Sequence, residues 1–218
     1  RFYTIASEAC IGGAPNSFCN GGNPPIVEPA GPVANSLAPI ASMVALSDVD
    51  VLQTTVVADD GSNGGIVWMR VNEVGLSAVL LGDVSVRDVS VEGFPAWSSI
   101  VVQTNPVAPV CSLAPHSAFV AQSQTPGIEI AMVINGISLR VNGTVMIQTE
   151  GNQTIILGLD GIARVITFGV SQSMVAGQQI RITHAEGDLS VPLDTPPLPL
   201  PFEPRFVRNF PLPVLDIP

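Results

Sequence analysis

Apolar and polar side chains alternate between residues 128 and 183, as expected for strands that bury one face. The stretch ISLRV, for example, has apolar residues at 137, 139 and 141 and polar residues between them. A slip of one residue would turn every apolar side chain to water, so the alternation also fixes the strand register. The pattern predicts an antiparallel β-meander. In the stretch IEIAMVI, the residues on the predicted inner face are Ile128, Ile130, Met132 and Ile134.

Tight-turn dipeptides interrupt this segment at short intervals. Asn-Gly and Asp-Gly tolerate the positive φ angles of the type I′ turns that connect hairpin strands. We therefore predict that the chain reverses at each of these points and that successive strands are antiparallel neighbours. The predicted turns are Asn135-Gly136, Asn142-Gly143, Glu150-Gly151-Asn152, Asp160-Gly161, Gly169 and Ala176-Gly177.

The rest of the chain consists of short apolar stretches separated by Gly and Pro, and no long stretch has the helical period. We predict an all-β protein, an antiparallel β-sandwich or meander with two small β layers or domains. The alternation slips by one residue across Arg87-Asp88, which predicts a β-bulge there. The predicted units are an extended N-terminal arm (1–40), a first group of strands (41–104), a Pro-rich joint (105–116), the meander (117–190) and a Pro-rich tail (191–218).

The chain is acidic, with 18 Asp and Glu residues against 8 basic residues, all of which are arginine. A net charge of −10 repels a phosphate backbone, so nucleic acid is not an expected partner. The lack of lysine excludes Schiff-base chemistry. The apolar runs are only a few residues long, far short of the ~20 that a membrane helix needs, so no transmembrane span is predicted.

The three cysteines are Cys10, Cys19 and Cys111. Cys10 and Cys19 flank a loop rich in Gly, Pro and Asn, which a disulfide would close. Such a bond would place the protein in an oxidising compartment and predicts export, with Arg1 as the start of a mature chain. The alternative is three reduced, buried thiols. If the disulfide forms, Cys111 is either free or paired with a partner chain.

Both ends of the chain carry apolar residues that need a surface to lie on. The stretch RFYTIAS predicts a strand that could add to the open edge of a neighbouring copy. The tail combines large apolar side chains with prolines, which cannot donate ladder hydrogen bonds, so we expect it to dock through side chains. The predicted assembly residues are Phe2, Tyr3, Ile5, Leu198, Leu200, Phe202, Phe206, Phe210, Leu212 and Leu215.

An oxygen-rich stretch at residues 59–65 is a calcium candidate, because calcium prefers carboxylate, amide and carbonyl oxygens. Its candidate ligands are Asp59, Asp60 and Asn63, and a polar hairpin turn is the alternative reading. No other cofactor is predicted. Asn142 and Asn152 begin N-glycosylation sequons, which turn chemistry alone also explains.

The chain offers little for catalysis. His116 follows Cys111 by five residues on a proline-broken loop, and His184 ends a strand where we expect it to face solvent. A hydrolase would require two carboxylates in one pocket, and the candidates are Glu129, Glu150 and Asp160. The carboxylates are dispersed and aromatic residues make up only 5% of the chain, so we predict no enzymatic activity.

Residues 152–183 resemble the FecR-type β domain, in which a leucine-acidic-glycine turn and a closing "aGq" separate strands. Leu159-Asp160-Gly161 and Ala176-Gly177-Gln178 occupy those places. The chain also resembles uncharacterised exported proteins of filamentous green non-sulfur bacteria (Chloroflexota). This second resemblance rests on the same segment together with the Pro-rich tail and the stretches GIVWMRV, LLGDVSV and CSLAPHSAFVAQSQTPG. The resemblance implies a periplasmic or surface location and carries over no catalytic residue.

These observations predict an exported, non-enzymatic β-sandwich protein. Its partners are expected to be copies of itself, joined through the terminal arms into an extracellular filament, sheath or surface layer. The alternative is a monomeric ligand-binding or sensory module, periplasmic or on the cell surface, whose tail folds back over its own sheet.

Overall fold

The structure, a computed structural model, describes residues 2–10, 12–29, 31–57, 63–105, 115–211 and 215. Within them, 16 strands form a curled, mostly antiparallel sheet, which confirms the all-β class. The helices are α1 (Phe2–Cys10) and α2 (Pro32–Leu37), and short 3-10 turns lie at Leu46–Asp48, Asn72–Val74 and Pro204–Val207. The strands are β1 (Ser17–Asn20), β2 (Ile26–Glu28), β3 (Met43–Ala45), β4 (Val51–Gln53), β5 (Ile66–Val71), β6 (Leu76–Leu81), β7 (Val84–Asp88), β8 (Ser99–Thr104), β9 (Ala118–Ser123), β10 (Ile130–Ile134), β11 (Ile137–Glu150), β12 (Gln153–Thr167), β13 (Val170–Val175), β14 (Gln178–Ala185), β15 (Asp188–Pro192) and β16 (Leu200–Pro201).

The two longest strands, β11 and β12, form one hairpin around the turn Gly151-Asn152. The predicted reversals at Asn142-Gly143 and Asp160-Gly161 are wrong, because both dipeptides lie inside these strands, with Gly143 opposite Gly161. The two glycines have φ angles of 128° and 68°, and the register shifts just beyond them. They therefore mark a kink with a β-bulge. The other predicted turns, at residues 135–136, 150–152, 169 and 176–177, do separate consecutive strands.

The kink brings the two backbones into close contact. A Cβ atom on Gly143 would overlap the carbonyl oxygen of Asp160, and one on Gly161 would overlap the carbonyl oxygen of Asn142. Glycine is needed here for lack of space as well as for its positive φ.

The kink divides the hairpin between two half-sheets. Before it, β11 pairs with β10 and with the second part of β12, which also pairs with β13; we call this set the exposed half-sheet. Beyond it, β11 pairs with β9 and with the first part of β12, which also pairs with β14; we call this set the covered half-sheet. One strand pair thus belongs to both half-sheets.

The two predicted groups of strands are joined into the same sheet. Strand β6 pairs with β9, and β8 runs parallel to β10 through the pairs Val133–Ser99 and Ile134–Ile100. Most of the predicted joint, residues 106–114, lies outside the described residues. The groups are therefore parts of one sheet and not separate domains.

The predicted β-bulge at Arg87-Asp88 is wrong. Strand β7 ends at Asp88 and pairs with β4 and β8 without a register shift. The Asp88 carboxylate accepts hydrogen bonds from the main-chain N–H groups of Ser90 (2.8 Å) and Trp97 (3.1 Å). The break in alternation therefore reflects a side chain that ends the strand by satisfying the following loop.

The main core lies inside the curl and draws on both half-sheets and both strand groups. The fully buried Trp97 meets Phe18 edge to face, with ring centroids 4.9 Å apart. Its indole N–H donates to the carbonyl oxygen of Leu46 at 3.0 Å, so the polar end of the ring is satisfied.

The N-terminal segment differs from its prediction. Residues 2–10 form α1 where a strand was predicted, and β1, β2 and α2 replace the extended arm of residues 1–40. Ala6 and Cys10 are buried against Trp68 and Leu81 on the outer face of β5 and β6. The predicted disulfide between Cys10 and Cys19 is confirmed, with a Cα–Cα distance of 5.8 Å, and it ties α1 to β1.

Candidate functional site

The C-terminal tail lies on the outer face of the covered half-sheet. Strand β16 pairs with β14, and the N–H of Phe202 donates to the carbonyl oxygen of Gly177 at 3.0 Å. Phe206 is only 5% exposed and belongs to an apolar cluster with residues of β9, β11 and β12. The covered half-sheet is thus buried on both faces, by the core on one side and by the tail on the other, which explains its nearly continuous apolar sequence.

Two arginines reinforce this contact. Arg181 of β14 lies 3.2 Å from the Glu150 carboxylate and 3.4 Å from that of Glu203, while Arg205 lies 2.8 Å from Glu203. Both guanidinium groups also lie over the Phe206 ring, 5.5 and 4.7 Å from its centroid. Partly exposed ion pairs are each worth only about 0–1 kcal/mol, but here they share partners and form a network.

The predicted assembly residues fall into three groups. Phe202, Phe206, Phe210 and Leu215 pack on the chain's own core. Leu198 and Leu200 are 74% and 63% exposed and remain available to another molecule. Phe2, Tyr3 and Ile5 lie in α1, where their side chains are outside the described part, as is Leu212.

The two histidines lie apart. His116 lines a small cavity of about 110 Å³ beside the arginine network. Its pKa lies below 6.5 because of partial burial and the positive charges of Arg205 and Arg208, whereas the Glu150 carboxylate raises it. Cys111, the proposed companion of His116, lies outside the described residues.

His184 is fully buried, which corrects the expectation that it faces solvent. Neither of its ring nitrogens has a hydrogen-bond partner among the described residues, and burial lowers its pKa. A neutral ring at this place packs as part of the interior.

The three candidate carboxylates do not converge. Glu129 pairs with Arg140 at 3.3 Å near one end of β11, whereas Glu150 pairs with Arg181 at the other end. Asp160 lies between them at the kink. The described residues therefore bring no two of these carboxylates into one pocket.

The calcium candidate is described only in part. Asp59 and Asp60 lie outside the described residues, while Asn63 is exposed and accepts a hydrogen bond from the Asn23 side chain at 3.5 Å. Among the described residues no cluster of His, Cys, Asp or Glu has metal-binding geometry. Calcium stays a prediction.

The two sequons differ in their surroundings. Asn142 is exposed at the kink. Asn152 is also exposed, but its side-chain amide donates to the carbonyl oxygen of His184 at 3.1 Å, so the turn already uses the nitrogen that a glycan would occupy. Glycosylation remains a prediction for both residues.

An apolar groove lies at one margin of the exposed half-sheet, a feature that the sequence reasoning missed. Strand β8 begins at Ser99 and pairs with only the last two residues of β10, so no described strand lies beside the first part of β10 on this side, and a cleft of about 400 Å³ is found there. Val91 and Phe94, on the loop between β7 and β8, are 65% and 68% exposed at its rim. The only sequence signal was a cluster of apolar residues in a Gly- and Pro-containing loop. Further lining residues are Val74, Val89, Pro95, Met132 and Val133.

Comparisons with known proteins give little further guidance. No family model and no curated protein matches the chain. Among solved structures, the chain is similar to a proposed anti-sigma factor from Parabacteroides distasonis, with 9% identity and a TM-score of 0.34. The match covers 50% of this chain and 47% of the other, so the chain spans about half the length of that protein. The similarity is too low to carry an argument, and the resemblance to the FecR-type domain stays a prediction.

The helices of the structure can be compared with the length that a membrane span needs. In the part of the chain that the structure describes, no helix is both long and apolar enough to span a bilayer.

Proposed function

We propose that this protein is an exported, non-enzymatic structural protein that self-associates into a filament, sheath or layer outside the cytoplasm. The observation that carries the proposal is that the exposed half-sheet has two different margins that can each contact another molecule. One margin is the apolar groove beside β10, and the other is the edge of β13. A molecule with two distinct contact surfaces can form open chains, whereas one self-complementary surface only closes a dimer.

The surface chemistry supports this proposal. Phe168, Ile162 and Val175, all on or beside the β13 margin, are 66%, 56% and 48% exposed. Ile162 and Val175 lie opposite each other at one end of β13, and Phe168 lies in the turn at the other end. Exposed apolar side chains along a free strand edge are available for contact with another molecule. The Cys10–Cys19 disulfide agrees with an oxidising compartment and therefore with export.

Assembly through these two margins does not require the terminal arms. The described tail covers its own sheet, so deleting residues 191–218 would expose Met146, Ile155 and Leu157 and cause aggregation for reasons unrelated to assembly. Point substitutions at the two margins test assembly without uncovering the core.

The first experiment is negative-stain electron microscopy of the intact protein together with size-exclusion light scattering over a range of concentrations. Regular filaments, tubes or sheets, with a mass that grows with concentration, are the expected result. A monomer at every concentration, with no ordered assemblies on the grid, would refute the proposal.

A second candidate function is a monomeric module that binds an apolar ligand or peptide. The observation that favours it is that the tail folds back over its own sheet while the apolar groove stays open. A monomer whose groove binds an environment-sensitive hydrophobic dye, with binding lost in Phe94→Asp, would support this function in place of assembly.

A further inference from the structure

Strand β13 is a free edge of the exposed half-sheet. Among the described residues it pairs with β12 alone, in continuous register from Ile162–Val175 to Thr167–Val170. Its outer margin is lined by main-chain groups without a neighbouring strand. Such an edge is a template for pairing with another chain.

The hairpin geometry shows which groups point outward. Thr167 and Val170 close the two-residue turn Phe168-Gly169, and the closing pair of such a hairpin is a hydrogen-bonded pair. Residues 170, 172 and 174 therefore bond to β12, while Ser171, Ser173 and Val175 direct their N–H and C=O groups outward. The hydrogen bond of Val175 supports this assignment, because its N–H donates to the side chain of Gln178 at 3.0 Å and not to β12.

The Pro-rich tail passes both ends of β13 without pairing with it. The main-chain carbonyl of Asp194 accepts a hydrogen bond from the Thr167 hydroxyl at 2.7 Å, and Phe202 bonds to Gly177 beyond the other end. In the described structure no main-chain hydrogen bond joins residues 194–202 to Ser171 or Ser173. The prolines at 196, 197 and 199 have no N–H to offer a strand.

Unlike the other free edges of the described sheet, β13 lacks the usual protection against pairing, and pairing would only have to displace the Gln178 side chain from the N–H of Val175. Edges are normally blocked by short length, charge or proline. Strands β2, β3 and β16 have three residues or fewer, and β15 contains Asp188 and Pro192. The six residues of β13, VSQSMV, include neither a charge nor a proline.

We propose that β13 pairs with β13 of a second copy, antiparallel about a two-fold axis centred on Ser173, and joins two exposed half-sheets into one. This inference rests on the proposed function and names its first contact. The outward-facing residues allow this register: Ser173 faces Ser173 of the second copy, and Ser171 faces Val175 of the second copy.

The side chains of the exposed face fit this arrangement. Within one copy, Arg164 lies beside Ser173, and Ile162 lies beside Val175. Across the axis, the exposed Val175 would lie opposite Ser171 of the other copy, and Ile166 of that copy would lie one strand further on. The two Arg164 residues would lie three strand spacings apart, about 14 Å, which exceeds the ~8 Å screening length at physiological salt.

The same register makes Ser173→Glu a selective block. In a single copy, a glutamate at this position lies beside Arg164 and is compatible with the fold. In the pair, two glutamates would face each other about 5 Å apart, which should weaken dimerisation about tenfold or more. Ser173→Gln has nearly the same shape without the charge and serves as the matched control.

Sedimentation velocity across concentrations measures the dimer dissociation constant once the groove contact is removed, so the proteins compared are Phe94→Asp alone, Phe94→Asp with Ser173→Gln and Phe94→Asp with Ser173→Glu. We expect the first two to dimerise alike and the third to dimerise at least about tenfold more weakly, with an undiminished melting temperature. Equal dimerisation of all three, or dimers of none while the wild type assembles, would overturn the β13 contact and leave self-association intact. A wild type that stays monomeric throughout would overturn both.

Cross-linking tests the register separately. In a Cys111→Ser background, a cysteine at position 173 would face its own copy at a Cα–Cα distance of about 5.5 Å, which a disulfide can span. Oxidation should therefore yield a covalent dimer of Ser173→Cys. Ser171→Cys, exposed on the same strand, should not cross-link, because it faces residue 175. Cross-linking at 171 but not at 173 would refute the register.

Discussion

At the scale of single residues, the glycine pair at the kink carries the clearest consequence. Gly143→Ala forces a methyl group into the Asp160 carbonyl and should lower the free energy of unfolding by about 3 kcal/mol or more. Gly169→Ala is the matched control. Gly169 has a φ of 75°, but no atom lies within 4 Å of the Cβ that alanine would add, so this substitution should lower the free energy of unfolding by only about 1 kcal/mol. Denaturant unfolding of both variants measures the difference, and equal losses would show that the close approach is unimportant.

Phe206 is the anchor of the tail. Phe206→Ala removes the one side chain of the described tail that combines deep burial with two arginine neighbours. It should lower the free energy of unfolding by about 3 kcal/mol. Leu198→Ala, on the same tail but 74% exposed, should change stability by less than about 0.5 kcal/mol. Limited proteolysis provides the second readout, since cleavage within the tail should accelerate only in Phe206→Ala.

Both histidines should make the protein less stable in acid. Burial lowers the pKa of His184 and of His116 below 6.5, so just below this pH the unfolded chain binds more protons than the folded one. The free energy of unfolding should therefore fall as the pH drops from about 7.5 to about 5.5.

Denaturant titrations at several pH values measure this slope. His184→Gln should flatten it, and the double variant with His116→Gln should flatten it further. A slope that is unchanged in the double variant would assign the pH dependence to other groups.

The same residues show why sequence reasoning succeeded only in part. Asn-Gly and Asp-Gly report positive φ, and both a hairpin turn and a kinked strand need positive φ. Asn135-Gly136 and Asp160-Gly161 therefore look alike in the sequence, although only the first reverses the chain. The burial of His184 was likewise hidden, because it depends on β15, which pairs with β14 from later in the chain.

At the scale of elements, α1 shows how tertiary contacts override local preference. Its residues favour strands, and no acidic residue lies in its first turn and no basic residue in its last. What holds it is the burial of Ala6 and Cys10 and the bond to Cys19. The cysteine spacing gave the disulfide correctly, since a short Gly- and Pro-containing loop constrains the two residues to be close.

Removing the disulfide should therefore loosen α1. Cys10→Ser with Cys19→Ser should lower the free energy of unfolding by about 2–3 kcal/mol, the value for closure of a loop of about ten residues. Thermal unfolding with and without reductant measures this loss. The double variant is its own control, because reductant should no longer change its melting temperature.

At the scale of the whole molecule, the two margins of the exposed half-sheet should act separately. Phe94→Asp places a charge in the apolar groove and should stop growth at dimers if β13 forms the other contact. Val56→Asp, also at an exposed valine but outside the groove lining, is the control and should assemble normally. Mass distributions from light scattering distinguish the two outcomes, and filaments of normal length in Phe94→Asp would exclude the groove as a contact.

The continuity of the β11–β12 hairpin also bears on how the chain folds. Its strands are joined by a two-residue turn, so their pairing requires almost no loop closure and can form in microseconds. Both outer edges of this hairpin later receive strands, β9 and β10 on β11 and β13 and β14 on β12. The hairpin is thus suited to act as a nucleus onto which both half-sheets grow. A substitution at the kink would then slow folding, whereas the loss of a late contact such as Phe206 would mainly speed unfolding.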